Sequence, residues 1–188
     1  KWAVNTAACE RLGIPYGVYL YSLAQTDEEA RSEAAHALRL LDGKHPQLPV
    51  YLDLEDSGIR DNCTKAEVLR HATIFCETLQ AAGYSVGVYA NRYWWTTTLD
   101  DPAYDQWDRW LAVWAAETGY SGSYSTWQNS NSGRIPGIQA NVDLDLRYGA
   151  SLRAGHTHDY RITEHVALTC TDFGQNVYTC VGCGASVT

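Results

Sequence analysis

The chain has 188 residues, 45% of them hydrophobic, which is enough for one main folded domain with a small appendage. Its 14 Lys and Arg against 22 Asp and Glu give a net charge of −8, which excludes the basic surface that a nucleic-acid binder needs. No run reaches the ~18 apolar residues of a membrane span, and no segment resembles a signal peptide.

The first segment, KWAVNTAACERLG, has the composition of a helix interior, and the chain contains no Met. Because a natural chain starts with Met, we expect this sequence to be a fragment or a processed form that lacks its own start. The same reasoning means that the lack of a signal peptide decides nothing about where the protein acts.

Two strand–helix units follow. IPYGVYLYS and LPVYLDLED predict strands, and the segments that begin at TDEEARSEAAHALRLLDG and TKAEVLRHATIFCETLQAAG predict helices. Each helix begins with a predicted capping box and ends at a glycine. The boxes are Thr26 with Glu29 and Thr64 with Glu67, and the glycines are Gly43 and Gly83.

Four further strands are predicted at GYSVGVYANRYWW, RWLAVW, YSTWQ and NVDLDLRYG, with NSNSGRIPGIQA as a connection. Strands that alternate with helices indicate an α/β fold built from parallel βα units. Six strands fit an eight-stranded βα barrel without its first two units, a missing piece on the order of 50 residues. A six-stranded doubly wound sheet is the competing prediction.

The segment PVYLDLED carries the strongest functional pattern. Alternation places Val50, Leu52 and Leu54 on one face and Tyr51, Asp53 and Glu55 on the other. Asp53 and Glu55 would lie roughly 7 Å apart at the carboxyl end of the strand, where βα barrels keep their chemistry. Burial and like charge raise the pKa of one such acid, which makes it a proton donor for glycosidic cleavage. The alternative is that D-x-E is a common triplet on solvated strand edges.

Tyr21, Tyr89, Trp114 and Asp143 fall on the same inferred inward face, with Asp145 beside Asp143. The chain has 7 Trp and 13 Tyr against 2 Phe, and such amphipathic rings suit stacking on sugars. Each of these residues considered alone is more typical of ordinary packing than of a binding site.

Five segments together resemble glycoside hydrolase family 25, the lysozymes of phages and bacterial autolysins. They are GIPYGVYLYSLAQTDEEARSEA, PVYLDLED, GYSVGVYANRYWW, RWLAVW and STWQNSNSGRIPGIQANVDLDL, in the family's order, and the resemblance spans residues 1 to 148. It implies a βα barrel that cleaves the β-1,4 bond between N-acetylmuramic acid and N-acetylglucosamine in peptidoglycan, without a cofactor. A monomer that acts extracellularly on the cell wall is the corresponding expectation.

The resemblance also implies roles for single residues. Glu55 matches the general acid, and Asp53 matches the companion acid that steers the substrate's acetamido group as internal nucleophile. Asp143 matches the acid of the last strand, while Tyr21, Tyr89 and Trp114 match the saccharide groove. Family members begin with a strand carrying a D-V-S type motif whose Asp belongs to the active site, and these residues contain no such segment. We therefore expect reduced activity or folding of the chain by itself.

Two other functions stay open. A carbohydrate-binding protein on a degenerate barrel would hold peptidoglycan without cutting it, and the missing first strand favours this reading. A chitinase-like enzyme would need the longer signature D-x-x-D-x-D-x-E, which is lacking because Tyr51 stands two positions before Asp53.

The cysteines divide into two groups. Cys9, Cys63 and Cys76 lie in the predicted barrel and are expected to be free thiols, since a helix would hold Cys63 and Cys76 roughly 17–20 Å apart. Residues 150–188 form a predicted separate small β module, after a domain at 1–149. There, Cys170, Cys180 and Cys183 with His158, or with His156, could supply three thiolates and an imidazole to a structural zinc ion, although the spacing is not that of a standard finger. A small β module without metal is the alternative.

Overall fold

A computed structural model of the chain describes residues 1–148 and, beyond them, the backbone of three strands at 160–166, 175–180 and 186–187. Helices are found only in the first of these ranges. They are α1 (Trp2–Leu12), α2 (Asp27–Leu41), α3 (Ser57–Asn62), α4 (Lys65–Ala81), α5 (Arg92–Thr96) and a 3₁₀ helix (Pro102–Gln106). Within the described residues, none of these helices has the length and apolar character needed to cross a membrane.

Six strands form one curled mixed sheet, in effect half of a barrel. They are β1 (Val18–Tyr21), β2 (Val50–Asp53), β3 (Val86–Asn91), β4 (Asp108–Ala112), β5 (Thr126–Gly133) and β6 (Val142–Arg147). Their order across the sheet follows their order in the chain. A doubly wound sheet would reverse that order at a switch point, so the barrel-type prediction is confirmed and the competing one is wrong.

One strand departs from the predicted parallel arrangement. β1 to β5 are parallel, but β6 runs antiparallel to β5. Only residues 134–141 separate these two strands, whereas a parallel crossover needs a dozen or more residues and usually a helix. The chain therefore turns back directly, and β5 extends through Gly133 into the segment that was predicted to be only a connection.

The outer face of the sheet packs under the helices, as the alternation in PVYLDLED predicts. Val50, Leu52 and Leu54 are each at most 2% exposed and belong to one apolar core with residues of α2 and α4. Ala34 of α2 and Phe75 of α4 are fully buried in that core. Burial of this outer face leaves the inner face of the sheet free to carry polar groups.

The helix ends agree with the predicted signals, with one difference. At α4 the capping box is complete, because Thr64 and Glu67 each accept the other's backbone N–H. At α2 the Thr26 side chain accepts the Glu29 N–H at 3.2 Å, but Glu29 Oε2 accepts the N–H of Gln25 at 2.9 Å. In a regular capping box the Glu29 carboxylate would accept the N–H of Thr26, and here it accepts that of the preceding residue. Both helices end before a glycine of positive φ, Gly43 at 66° and Gly83 at 92°.

A polar network on the inner face joins β2, β4, β5 and β6 below the carboxyl ends of the parallel strands. Tyr51 Oη donates to Asp108 at 2.7 Å, and Arg147 donates to Tyr51 Oη and to Thr126 Oγ1, both at 2.9 Å. Gly87 lies under the Tyr51 ring, where a β-carbon would come within 2.5 Å of Cε1. The ring therefore occupies the space that a side chain at position 87 would need.

The remaining described strands are β7 (Tyr160–Val166), β8 (Gln175–Cys180) and β9 (Ser186–Val187), which form a separate antiparallel sheet. They lie within residues 150–188, for which a separate small β module is predicted. The predicted zinc ligands His158, Cys170 and Cys183, and the alternative His156, lie outside the described residues, and only the backbone of Cys180 is described. In the part of the chain with described side chains, Cys9, Cys63 and Cys76 are free thiols, as predicted.

Candidate active site

The strand register brings the side chains of the inner face into rows that cross the sheet. Residues in register on neighbouring strands point to the same face, so one row collects a residue from every strand. That row consists of Tyr21, Asp53, Tyr89, Trp110, Thr126 and Arg147. The next row toward the carboxyl ends of the parallel strands contains Asn91, Ala112, Gln128 and Asp145. Glu55 follows two residues after Asp53, just beyond the end of β2.

Asp53 is the buried member of the predicted acidic pair. Its residue is 5% exposed, and its Oδ1 has no hydrogen-bond partner among the described residues. Burial, and after it the negative charge of Glu55, raises the pKa of Asp53 to about 8. A carboxyl group in this state holds its proton at neutral pH.

Glu55 is the exposed member of the pair. Its pKa is also raised, first by partial burial and then by the negative charge of Asp143 on β6. The two strand ends that carry these acids are therefore close enough in space for their charges to interact. The sequence predicted a raised pKa for one acid of the pair, with Glu55 as donor. Both are raised, and Asp53 has the value near 8 because it is far more buried.

The acids of β6 complete the acidic cluster. Asp143 is exposed, while Asp145 accepts a 2.7 Å hydrogen bond from Trp110 Nε1 on β4. Burial raises the pKa of Asp145, the bond from Trp110 opposes that rise, and the charge of Asp143 adds to it. Carboxyl groups from β6 and from the end of β2 thus lie on the inner side of the curled sheet, the surface called the groove below.

The aromatic residues predicted for a saccharide groove lie along the same surface. Tyr21 is 45% exposed, and its Oη lies 3.5 Å from Asp56 Oδ2. Tyr89 is buried, whereas Trp114 is 59% exposed. Tyr89 Oη and Trp114 Nε1 both reach the Oε1 atom of Gln128, at 3.1 Å and 2.9 Å. The structure thus brings all of the predicted groove residues to one face and one end of the sheet.

Gln128, Trp110 and Asp56 belong to this surface and were not predicted as site residues. Gln128 is 4% exposed and joins two groove aromatics, and Asp56 caps α3 by accepting the N–H groups of Gly58 and Ile59. The inward alternation of RWLAVW offered a signal for Trp110, because it lies two residues before Ala112 on the same face. For Gln128 the only signal was its place in the segment STWQ, which says nothing of its partners.

No candidate metal centre accompanies the acids. Among residues with described side chains, no group of three or more His, Cys, Asp or Glu is arranged to hold a metal ion. The arrangement offers instead proton donors, proton acceptors and exposed rings. The curled sheet with helices on its outer face places the protein in the class of βα-barrel-like folds. The paired carboxyl groups lie at the carboxyl end of a strand, which is the end where such barrels carry their chemistry.

Comparison with models of protein families identifies a family within that class. The profile of the Glycosyl hydrolases family 25 matches residues 2–138, which is 137 of the 188 residues. The chain belongs to this family. The matched range includes Asp53, Glu55 and Gln128 but ends before β6, so Asp143 lies just outside it. Comparison with curated protein sequences gave no significant match.

Solved structures of similar fold agree with the family. The modular autolysin LytC from Streptococcus pneumoniae is 28% identical with a TM-score of 0.69, over 76% of this chain and 36% of LytC. The catalytic domain of endolysin ply40, from bacteriophage P40 of Listeria monocytogenes, is 24% identical with a TM-score of 0.63, over 79% of this chain and 74% of that one. A family 25 glycosyl hydrolase from Bacillus anthracis is 22% identical with a TM-score of 0.64, over 79% of this chain and 70% of that one. This chain therefore spans about a third of the length of LytC and most of the two smaller structures.

Proposed function

We propose that the protein is a peptidoglycan hydrolase that cleaves the β-1,4 bond between N-acetylmuramic acid and N-acetylglucosamine. The observation that carries this proposal is the pair Asp53 and Glu55 at the carboxyl end of β2, within the range matched by the family profile. The LytC autolysin was also solved in complex with a synthetic peptidoglycan ligand, which supports this class of substrate.

Glu55 is the proposed general acid. It is exposed at the groove, where it can reach a glycosidic oxygen, and its raised pKa keeps more of it protonated toward neutral pH. The leaving sugar oxygen takes the proton of Glu55 as the bond to the anomeric carbon breaks. The resulting carboxylate then takes a proton from the water that completes hydrolysis.

Asp53 is the proposed companion acid in a substrate-assisted reaction. In such a reaction the acetamido oxygen of the substrate attacks the anomeric carbon, and the amide N–H becomes more acidic. Asp53 Oδ1 is buried and, among the described residues, lacks a partner, so it has the capacity to bond that amide group. Asp53 would accept the N–H on a carboxyl oxygen that carries no proton, which raises the nucleophilicity of the acetamido oxygen.

Asp143, Tyr21, Tyr89 and Trp114 are the proposed saccharide-binding residues. The exposed ring of Trp114 and the half-exposed ring of Tyr21 offer surfaces on which sugars can stack.

The proposed partner is the peptidoglycan of the bacterial wall. We propose that the protein reaches it outside the cell and acts as a monomer.

The proposed division of the chain places the hydrolase unit at 1–149 and a separate small module at 150–188. It is supported by the separate sheet formed by β7, β8 and β9. A structural zinc ion in that module stays a prediction that metal analysis of the purified chain can test.

The test of the function is release of soluble sugar from insoluble peptidoglycan by the wild-type chain, by Glu55→Gln and by a control, Glu28→Gln. Glu28 is exposed on α2 and is not one of the proposed site residues. We expect wild type and control to release sugar, and Glu55→Gln to sediment with the wall without releasing it. Sedimentation of the wild type without release would favour the carbohydrate-binding alternative, and equal release by Glu55→Gln would contradict the role of Glu55.

A further inference from the structure

Gln128 occupies a central place in the groove. It lies on β5 in register with Ala112 of β4 and Asp145 of β6, and it is 4% exposed. Ala112 has a small side chain on the same face, which leaves room for the Gln128 amide to reach Tyr89 on β3, two strands away. A buried amide with two partners on other segments is strongly constrained in its orientation.

The chemistry of its partners determines which end of the amide faces them. An indole N–H can only donate, so the atom 2.9 Å from Trp114 Nε1 must be the amide oxygen of Gln128. Tyr89 Oη lies 3.1 Å from the same oxygen, which cannot donate, so the Tyr89 hydroxyl must donate to it. The one hydroxyl proton of Tyr89 is therefore used in the hydrogen bond to Gln128. Only the lone pairs of the Tyr89 oxygen are left for another molecule.

The Trp114 and Tyr89 side chains differ in exposure, and each exposure suits a different contact with a saccharide. Trp114 is 59% exposed, and its one polar atom is the atom that Gln128 holds, so the rest of the ring is open at the groove. Tyr89 is 7% exposed and in register with Asp53, so its oxygen lies near the proposed reaction centre. The amide oxygen of Gln128 therefore fixes two groups in the same groove. One is the Trp114 ring, on which a sugar can stack, and the other is the Tyr89 oxygen, which can accept a hydrogen bond.

We propose that Gln128 is a positioning residue that makes the Tyr89 hydroxyl a hydrogen-bond acceptor toward the saccharide and holds the Trp114 ring for stacking. The group recognised at Tyr89 is a donor on the sugar, a hydroxyl or an amide N–H. This inference rests on the proposed function, because it assigns the specificity of the same groove.

The first test compares Gln128→Met, which removes the acceptor at similar volume, with Gln80→Met. Gln80 is the matched control because its Oε1 accepts a 3.3 Å bond from Trp107 Nε1 outside the groove. We expect Gln128→Met to raise both KM and the Kd for soluble peptidoglycan oligosaccharides about tenfold, with kcat changed less than about threefold. Gln80→Met should stay within about twofold of wild type. Unchanged KM and Kd in a folded Gln128→Met chain would overturn the proposal.

The second test is a double-mutant cycle with Tyr89→Phe, which deletes the hydroxyl and keeps the ring. If Gln128 acts through Tyr89, the effect of Gln128→Met on Kd is smaller in the Tyr89→Phe background than in wild type. Additive effects would overturn the proposal. If Gln128→Met does not fold, Trp114→Phe and Tyr89→Phe replace it, and either one binding as tightly as wild type would also overturn it.

The two hypotheses fail in different ways. A wild-type chain that binds the oligosaccharides without cleaving them contradicts the proposed function and leaves the Kd comparison to decide the role of Gln128. A wild-type chain that cleaves, with Gln128→Met and wild type alike in KM and Kd, contradicts only the role of Gln128. A chain that neither binds nor cleaves contradicts both.

Discussion

Asp53 and Glu55 lie two residues apart on the same side of the chain, yet Asp53 is almost fully buried and Glu55 is exposed. The difference arises because β2 ends at Asp53, so that Glu55 stands just past the sheet. The acid inside the sheet has its pKa raised to about 8, chiefly by burial. This relationship gives the two acids different properties, and the first two predictions follow from it.

Asp53→Asn is expected to make the stability of the protein less dependent on pH. In the folded chain Asp53 keeps its proton up to a pH of about 8, whereas an unfolded Asp releases it near its ordinary pKa of 3.8. Between these pH values the folded state binds the additional proton, so this group's contribution to stability declines as the pH rises. At pH 8 the variant should gain more than about 1 kcal/mol in free energy of unfolding over wild type, and near pH 4 the gain should disappear.

Urea unfolding between pH 4 and pH 8 measures this difference, with the exposed Asp100→Asn as control. A gain for Asp53→Asn that is constant across this range would show that the buried acid is already ionised.

Asp143→Asn is expected to move the pH dependence of catalysis. The negative charge of Asp143 contributes to the raised pKa of Glu55, so removing it lowers the pH at which Glu55 loses its proton. The basic limb of the kcat/KM profile should therefore shift to lower pH, because the acid form of Glu55 is required. A basic limb that stays in place, as expected for the Asp100→Asn control, would mean that Asp143 and Glu55 do not interact in the working protein.

The strands and the acidic pair were predictable because they depend on short-range patterns. Alternation in PVYLDLED fixes which side chains share a face, and a Gly past each helix fixes where the chain turns. Alternation alone is enough to predict that Asp53 points to the inner face of the sheet and Leu52 to the outer face.

Other features depend on contacts that no local pattern encodes. Alternation gives the face of a strand and not its direction, so the antiparallel course of β6 was missed. The raised pKa of Asp53 depends on where β2 ends, and Gln128 acquires its role only when β3, β4 and β5 lie side by side. These are properties of tertiary structure.

Gly87→Ala is expected to destabilise the sheet. A β-carbon at this position would lie 2.5 Å from Tyr51 Cε1 and 2.6 Å from the Asp108 carbonyl oxygen, and both neighbours are held by the polar network of the inner face. The expected loss in free energy of unfolding is about 2 kcal/mol. In a Tyr51→Leu background the ring is gone, so the loss from Gly87→Ala should be smaller.

Urea unfolding of the two single variants and the double variant measures this coupling. Equal losses from Gly87→Ala in the two backgrounds would show that the Tyr51 ring does not cause the conflict.

The most direct test of the proposed function is the identity of the sugar ends that the protein creates. Purified peptidoglycan is incubated with the wild-type chain or with Glu55→Gln, and the products are reduced with borohydride and identified by mass spectrometry. We expect reduced muramic acid ends with the wild type, and a rate lower by at least about 100-fold with Glu55→Gln, because general acid catalysis contributes at least that factor. Reduced glucosamine ends would contradict the assignment of the bond, and muramic acid ends formed equally fast by Glu55→Gln would contradict the assignment of the acid.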